Sequence, residues 1–395
     1  IERMQSWGIM IDRPYFETLA QRMKKQLADI EANVVDLAGT TINLNSPKQL
    51  SELLFNKLGL KPKTKQKASG AYTTNAETLE SLIDAHPVIP LILEHREVQK
   101  LLSTYVEALL GHADVNNIVH ATFLQHGAAT GRFSSTNPNL QNIPIKGDGG
   151  KEVRHGFIAR PRHVFISSDY SQIELRVLAM LSGDERLIET FAAGEDIHTR
   201  VASAMFHVDP TEVTNDMRRK AKVINFGILY GMGVSALQKN LGTTRGEAAA
   251  FYENYFKTFP TIGEYLDRTK SFAREHGYTE TMFGRRRYFP GISSGAPYLR
   301  AFAERMAVNA PIQGTNADIV KIAIALIDTD LRTAGIFDKV HLVLQVHDEL
   351  VYEAEETIRE KAEQIIKDAM VQVFERSPIA IDAQRVPLAV SLGKG

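Results

Sequence analysis

Two short apolar runs, Leu342-Val343-Leu344 and Leu350-Val351-Tyr352, flank a polar knot of His347, Asp348 and Glu349. Short β-branched runs around a polar break read as the two strands of a hairpin. Hairpin turns ordinarily use Gly, Asn or Pro, which accept tight backbone geometry. This one places a histidine and two adjacent carboxylates at its tip. Adjacent acids repel unless water solvates them or a cation sits between them. The chain must therefore give this tip one of two surroundings. One is an open, solvated turn. The other is a metal site completed by another carboxylate from elsewhere.

Composition sets the frame. The 395 residues are 44% hydrophobic and 24% charged, as in ordinary globular enzymes, and the length allows two or three domains. There is no apolar run long enough to span a membrane. Residue 1 is Ile rather than Met, so the chain reads as a fragment or processed product, and the lack of a visible leader is uninformative. Cysteine is absent, which excludes disulfides and thiolate metal sites. Forty-six basic residues face 47 acidic ones, so any nucleic-acid surface must come from local patches.

Residues 1 to about 111 carry mostly helical periodicity, as in RPYFETLAQRMKKQLADIEANVVDLA. In NSPKQLSELLFNKLGL, Asn45 or Ser46 caps a helix that opens near Pro47 and stops at Gly59. A lysine-rich loop, KPKTKQKASGAYTTN, follows. From about 112 to 183, VNNIVHATFLQ looks like strand, and HVFISSDYSQIELRVLAML like a strand ending near Asp169 and then a helix. Ile173, Val177, Met180 and Leu181 are expected to share one face of that helix. Residues 184 to about 304 read as helical again. A long helix from Arg305 to about Ala334, the hairpin, a further helix to about Phe374 and a short strand close the chain. The pattern predicts an α+β body in two sequence blocks.

Three constellations carry chemistry. Asp169 and Asp348 would emerge from one end of one sheet if their strands are neighbours. Oxygen ligands suit magnesium held jointly with substrate phosphates, although either acid alone is the more ordinary solvated turn carboxylate. Arg218, Lys222, Phe226 and Tyr230 recur every four residues, advancing about 40° per step, and form a slowly turning stripe. Its cations suit a triphosphate and its rings a base or sugar. Taken alone, a solvated basic half followed by a buried aromatic half is the more ordinary reading of the stripe. Last, GAATGRFSSTNPNLQNIP is a polar loop whose Arg132, Asn139, Gln141 and Asn142 are of the types that bond phosphates and base edges.

DYSQIELR (169–176), RRKAKVINFGILYG (218–231) and VHDE (346–349) stand in the order of the three motifs of family A DNA polymerases. TGRFSSTNPNLQNIP, DIHTRVA, ETMFGRRR and RMAVNAPIQGTNADIVK match further family segments, and INLNSPKQLSELLF and LLSTY resemble its thumb. Nearly the whole chain resembles the C-terminal polymerase portion of a bacterial member. Phage and organellar enzymes share the motifs. The resemblance implies a right-hand polymerase fold with an antiparallel-sheet palm and helical thumb and fingers. Residues 1–111 would be mainly thumb, 112–183 and 305–395 palm, and 184–304 fingers.

By the same resemblance, Asp169, Asp348 and the carbonyl of Tyr170 would hold two Mg²⁺ ions, with Mn²⁺ able to substitute, and Glu349 would be an accessory acid. Arg218 and Lys222 would bind the dNTP, with His198 and Gln172 beside it. Lys222 would protonate the leaving pyrophosphate. Phe226 would pack on the nucleotide, and Tyr230 would fill the template-base position in an open state. Glu174 would pair with that tyrosine and crowd the sugar 2′ position. Arg132 and Gln313 would touch the minor groove. Asn139, Gln141, Asn142, Arg305, Asn309 and His347 would contact template or primer, and Lys61, Lys63, Lys65 and Lys67 would hold duplex phosphates. The expected partners are a primer–template duplex and dNTPs, with no membrane; the expected state is a monomer in the bacterial cytoplasm, at the nucleoid. No nuclease domain is expected in this chain. Two alternatives compete: a catalytically inactive DNA-binding scaffold of the same fold, and a single-subunit RNA polymerase relative.

Overall fold

The computed structural model describes residues 1–62, 72–144, 147–383 and 385–394. The chain divides into two compact units, Ile1–Thr122 with Ser135–Arg160, and Phe123–Ser134 with Pro161–Gly395. Among the described residues, no helix is long and apolar enough to cross a membrane.

The first unit is built on the helix Arg13–Ala38. Asp12 caps it by accepting from the Tyr15 amide at 3.0 Å, and Gly39 ends it in the left-handed region. Phe16, Leu19, Met23, Leu27, Ile30 and Val34, three or four residues apart, form its buried face. That face packs on the helix Val88–Leu101. Ser46, not Asn45, caps the next helix, which turns π-helical over Glu52–Lys57. A small sheet with strand order Ile118–Val119, Ile9–Ile11, Phe157–Ile158 completes the unit. Lys61 is exposed here, whereas Lys63, Lys65 and Lys67 lie outside the described residues.

The second unit holds a four-stranded antiparallel sheet in the order Val390–Lys394, His163–Tyr170, Glu349–Glu355, Val340–Val346. The Asp169 strand and the Asp348 hairpin are thus neighbours, as the two-acid reading requires. The helix Ile173–Ser182 follows the Asp169 strand. Ile173, Val177, Met180 and Leu181 share a face as their spacing predicts, but every residue from Ile173 to Met180 is buried, Glu174 and Arg176 included, so burial extends well beyond that face. The helix is enclosed all round, and its two charged residues are accepted inside because both are paired. Arg176 bonds the carbonyls of Ser171 and Pro387 at 2.9 and 2.5 Å and lies 4.5 Å over the Phe191 ring. Burial draws its guanidinium down to about 10.

The block 184–304 is not purely helical: a hairpin pairs Tyr278–Glu280 with Arg286–Tyr288. The long helix begins earlier than its periodicity suggests, spanning Pro297–Thr333, with Pro297 in its first turn where a missing N–H costs nothing. One continuous core joins Ile166, Tyr170, Val177, Ile224, Ile228, Ile312, Leu350 and Ile366. The sheet end and the helix Asn215–Leu229 are therefore anchored in the same packed mass.

Candidate active site

Register brings the acids together. Glu349 lies directly opposite Asp169, and the Tyr170 amide reaches the Asp348 carbonyl at 3.3 Å. Residues opposite one another share a sheet face, and like charges so placed destabilise the pair. The Asp169 side chain is open to solvent on one side. Protein crowding on the other, together with Asp348 and Glu349, pushes its carboxyl up to about 6. Glu349 accepts from the Ser167 hydroxyl. Asp348 Oδ1 accepts from Asn316 Nδ2 at 2.7 Å and Arg132 Nη2 at 3.3 Å. Among the described residues, the Asp169 carboxylate makes no hydrogen bond or ion pair. The backbone beside each aspartate is strained: Gln172 has φ 55° and His347 has φ 52°, in a region that side chains other than Gly rarely occupy. Gln172 stands at the N-terminus of the Ile173–Ser182 helix, and His347 is exposed at the hairpin tip.

Glu174 ties this end to the aromatic stripe. It is 4% exposed, with Oε1 2.8 Å from Arg132 Nη2 and Oε2 accepting from Tyr230 Oη at 2.9 Å. Burial raises its pKa, against the pull of Arg132. Burial and the Glu174 carboxylate push the Tyr230 phenol up to about 12, so it stays a donor. Arg132, Glu174, Tyr230 and Asp348 thus form one connected network.

The stripe lies on the helix Asn215–Leu229, whose buried face is Ala221, Ile224, Asn225 and Ile228. Lys222 is exposed, Arg218 and Phe226 are partly exposed, and Tyr230 is 43% exposed. Tyr230 is therefore not part of a buried core face, while Phe226 is partly buried and packs against the core. Arg218 is held by Asp196: its Nε and Nη2 both lie 2.7 Å from Oδ2. Asp196 also caps the helix Ile197–Phe206 through the amides of His198 and Thr199. His198 is buried and 5.9 Å from the Phe226 ring, and it accepts from the Asn225 amide at Nδ1. Burial draws its pKa down to about 4, so at neutral pH it is uncharged.

The long helix supplies a fourth group. Arg305, Asn309, Gln313 and Asn316 follow at steps of four, four and three and share a face. Arg305 is exposed and Asn309 and Gln313 half-buried. The Oδ1 atoms of Asn309 and Asn316 are buried without a protein partner among the described residues. Such atoms are uncommon in folded proteins, and a bound water, ion or substrate group is one way they are satisfied.

Asn139, Gln141 and Asn142 belong to the first unit, so these second-unit groups do not include them. Asn139 caps the turn Leu140–Asn142 by accepting from the Gln141 amide at 3.0 Å, and the Asn142 carbonyl accepts from Tyr105.

The model for DNA polymerase family A matches residues 13–395. The chain belongs to that family. It is 44% identical to a thermostable DNA polymerase I of Thermus filiformis over 397 aligned residues, covering 100% of this chain and 46% of that protein. It is 43% identical to DNA polymerase I of Deinococcus radiodurans, covering 100% of this chain and 40% of that one. The chain thus spans about half the length of these curated relatives. A solved structure, the POL domain of Pol1 from M. smegmatis in complex with DNA primer-template and dNTP, matches with a TM-score of 0.90. That match has 40% identity and covers 99% of this chain and 67% of the other.

Family A polymerases use divalent metal. The unpaired Asp169 carboxylate, crowded by two more acids, is an oxygen-rich donor set that fits such an ion. Among the described residues, no group of three or more His, Cys, Asp or Glu side chains is placed to hold a metal ion by itself. An open pair of carboxylates leaves positions for substrate oxygens, which suits a catalytic ion better than a structural one.

Asn316, Asp196 and Arg285 escaped the sequence reading. Asn316 had a signal, since it continues the Arg305–Asn309–Gln313 face by three residues. Asp196 carried the N-cap pattern of DIHTRVA, but its hold on Arg218 depends on two helices meeting. Arg285 gave only a place within GRRR.

Proposed function

We propose that this chain is a template-directed DNA polymerase that adds dNTPs to a primer 3′-hydroxyl, serving replication and repair in a bacterial cytoplasm. The observation that carries this is the join between Asp348 and the Arg132–Glu174–Tyr230 network at the Asp169 end of the sheet. It joins Asp348, Glu174 and Tyr230 through Arg132 in one hydrogen-bonded assembly beside Asp169, and this supports reading the acids and the stripe as one site.

Asp169, Asp348 and the Tyr170 carbonyl would hold two Mg²⁺ ions, or Mn²⁺. When bound, these lower the pKa of a hydroxyl nucleophile and offset charge on a leaving pyrophosphate. Glu349, held by Ser167, adds negative charge beside Asp169. Arg218 leaves Asp196 to grip the triphosphate, and Lys222 holds the proton that pyrophosphate accepts. Neutral His198, bonded to Asn225, steadies the helix and supports Phe226 against the nucleotide. Gln172 sits next to this pocket. Gln313 and Arg132 test the minor groove, whose acceptors are alike for all correct pairs. Asn139, Gln141, Asn142, Arg305, Asn309, His347 and Lys61 contact template or primer. In this reading residues 1–111 act as thumb, 184–304 as fingers and the remainder as palm, and the chain works as a monomer.

Primer extension with dNTPs and with NTPs, in the presence of magnesium, tests the proposal. Extension with dNTPs alone is the expected result. A wild type that binds the duplex but never extends it would be the scaffold, and efficient NTP use would make it an RNA polymerase.

Duplex affinity should also depend on salt. If about four cationic side chains contact phosphates, raising salt from 50 to 200 mM weakens binding roughly a hundredfold. A dissociation constant flat across that range, measured by anisotropy, would remove the phosphate-contact role of Arg305 and Lys61.

A further inference from the structure

Arg132 reaches Asp348 and Glu174 from a loop rich in Gly, Ala and Thr, a composition that offers little internal order. Its backbone shows one turn, with the Gly131 amide bonded to the Ala128 carbonyl at 2.9 Å. The Arg285 side chain bridges this loop to the long helix. Arg285 donates through Nη2 to the Thr130 carbonyl at 2.8 Å and the Gly314 carbonyl at 3.1 Å. Its Nε donates to Asp318 Oδ1 at 2.8 Å. One guanidinium thus joins the residue two before Arg132 to the residue two before Asn316.

The glycines on either side are cut to fit it. A Cβ on Gly131 would lie 2.5 Å from the Arg285 guanidinium carbon, and Gly131 has φ +85°. A Cβ on Gly314 would lie 3.0 Å from Nη2 and 2.5 Å from Thr281 Cγ2. Arg285 is itself fixed, because its amide donates to Thr281 Oγ1 at 3.2 Å and its carbonyl accepts from the Thr281 amide at 3.0 Å. Lys321 adds a second tie, bonding the Gln125 carbonyl at 3.1 Å and lying 5.2 Å over the Phe133 ring.

We propose that Arg285 is a positioning residue: it sets the Gly127–Ser134 loop so that Arg132 meets Glu174 and Asp348, and so fixes how a newly made pair is tested. This rests on the polymerase reading of the site. A planar fork bonding three oxygens in fixed directions is a task for arginine rather than lysine.

The test compares wild type, Arg132→Ala, Arg285→Ala and the double variant in single-turnover extension from correctly paired and mispaired primer ends. Arg285→Ala should slow extension from a correct end by about ten- to a hundredfold, the scale of a misplacement of about 1 Å, while apparent dNTP affinity changes less than about threefold. Its ratio of correct to mispaired extension should shift as far as that of Arg132→Ala. The double variant should be no slower than Arg132→Ala alone, because both remove one function. Arg285→Lys should recover part of the loss. If Arg285→Ala does not fold, Gly131→Ala serves instead: it displaces the guanidinium while keeping it, and should give the same shift in ratio. Losses that multiply in the double variant, or an equal slowing from both primer ends, overturn the proposal. A wild type that does not extend at all defeats the polymerase reading itself.

Discussion

Asp169→Ala is expected to lower the rate of primer extension by at least about a thousandfold, the size of losing several kcal/mol of charge stabilisation in the transition state. The reason is local. Asp348 already shares Oδ1 with Asn316 and Arg132. Glu349 already accepts from Ser167. Asp169 is the carboxylate of the three with no bond of its own among the described residues, so it is the one most available to an ion, and no neighbour replaces it. Glu349→Ala should cost much less, on the order of tenfold, because its negative charge acts from beside the site. Stability should move the other way. Asp169 faces Glu349 across the ladder, and removing one of two opposed like charges relieves repulsion. In metal-free buffer at neutral pH, the Asp169→Ala chain should therefore melt at the wild-type temperature or a few degrees above it. A variant that is inactive and also melts well below wild type would mean that Asp169 holds the fold together, and its loss of activity would say nothing about metal.

How much of this the sequence disclosed depends on the range of the interaction. The hairpin, the Asp169 strand and the Arg218–Tyr230 stripe were legible because strand and helix periodicities are local, and each motif lies within about fifteen residues. That the two strands pair was an inference, since pairing Glu349 with Asp169 joins positions 180 apart. The burial of the Ile173–Ser182 helix was missed because its charged residues, Glu174 and Arg176, imitate a polar face. Apart from the nearby Ser171 carbonyl, their partners are Arg132, Tyr230 and the Pro387 carbonyl, and no window of sequence contains these. The hold of Asp196 on Arg218 and of Arg285 on Thr130 and Gly314 has the same character. Each requires knowing which backbone carbonyl or carboxylate a fold brings within reach, and an arginine in a basic run carries no mark of that.

Glu174→Ala is expected to cut discrimination against ribonucleotides by about a hundredfold or more, roughly 3 kcal/mol, while slowing dNTP addition only about tenfold. The larger effect follows from how the carboxylate is held. Glu174 is 4% exposed and fixed at both oxygens, by Arg132 at 2.8 Å and Tyr230 at 2.9 Å. A side chain on one bond would swing aside for an extra hydroxyl, but this one must break an ion pair or a phenol bond to move. Rejection built from an immovable obstacle is a property of the wrong substrate's complex and leaves the right one nearly untouched. The smaller effect comes from what the truncation strands: Tyr230 Oη and one arm of Arg132 lose their acceptor, and Arg132 also serves Asp348. Glu174→Gln separates bulk from charge. It keeps the volume and the bond from Tyr230 but weakens the Arg132 pair. If sterics dominate, Gln should retain most of the discrimination that Ala loses, measured as the ratio of kcat/KM for dNTP and NTP. If Gln loses as much as Ala, the obstacle is effective only while Arg132 clamps it, and the fidelity of sugar choice then depends on the same loop that Arg285 holds in place.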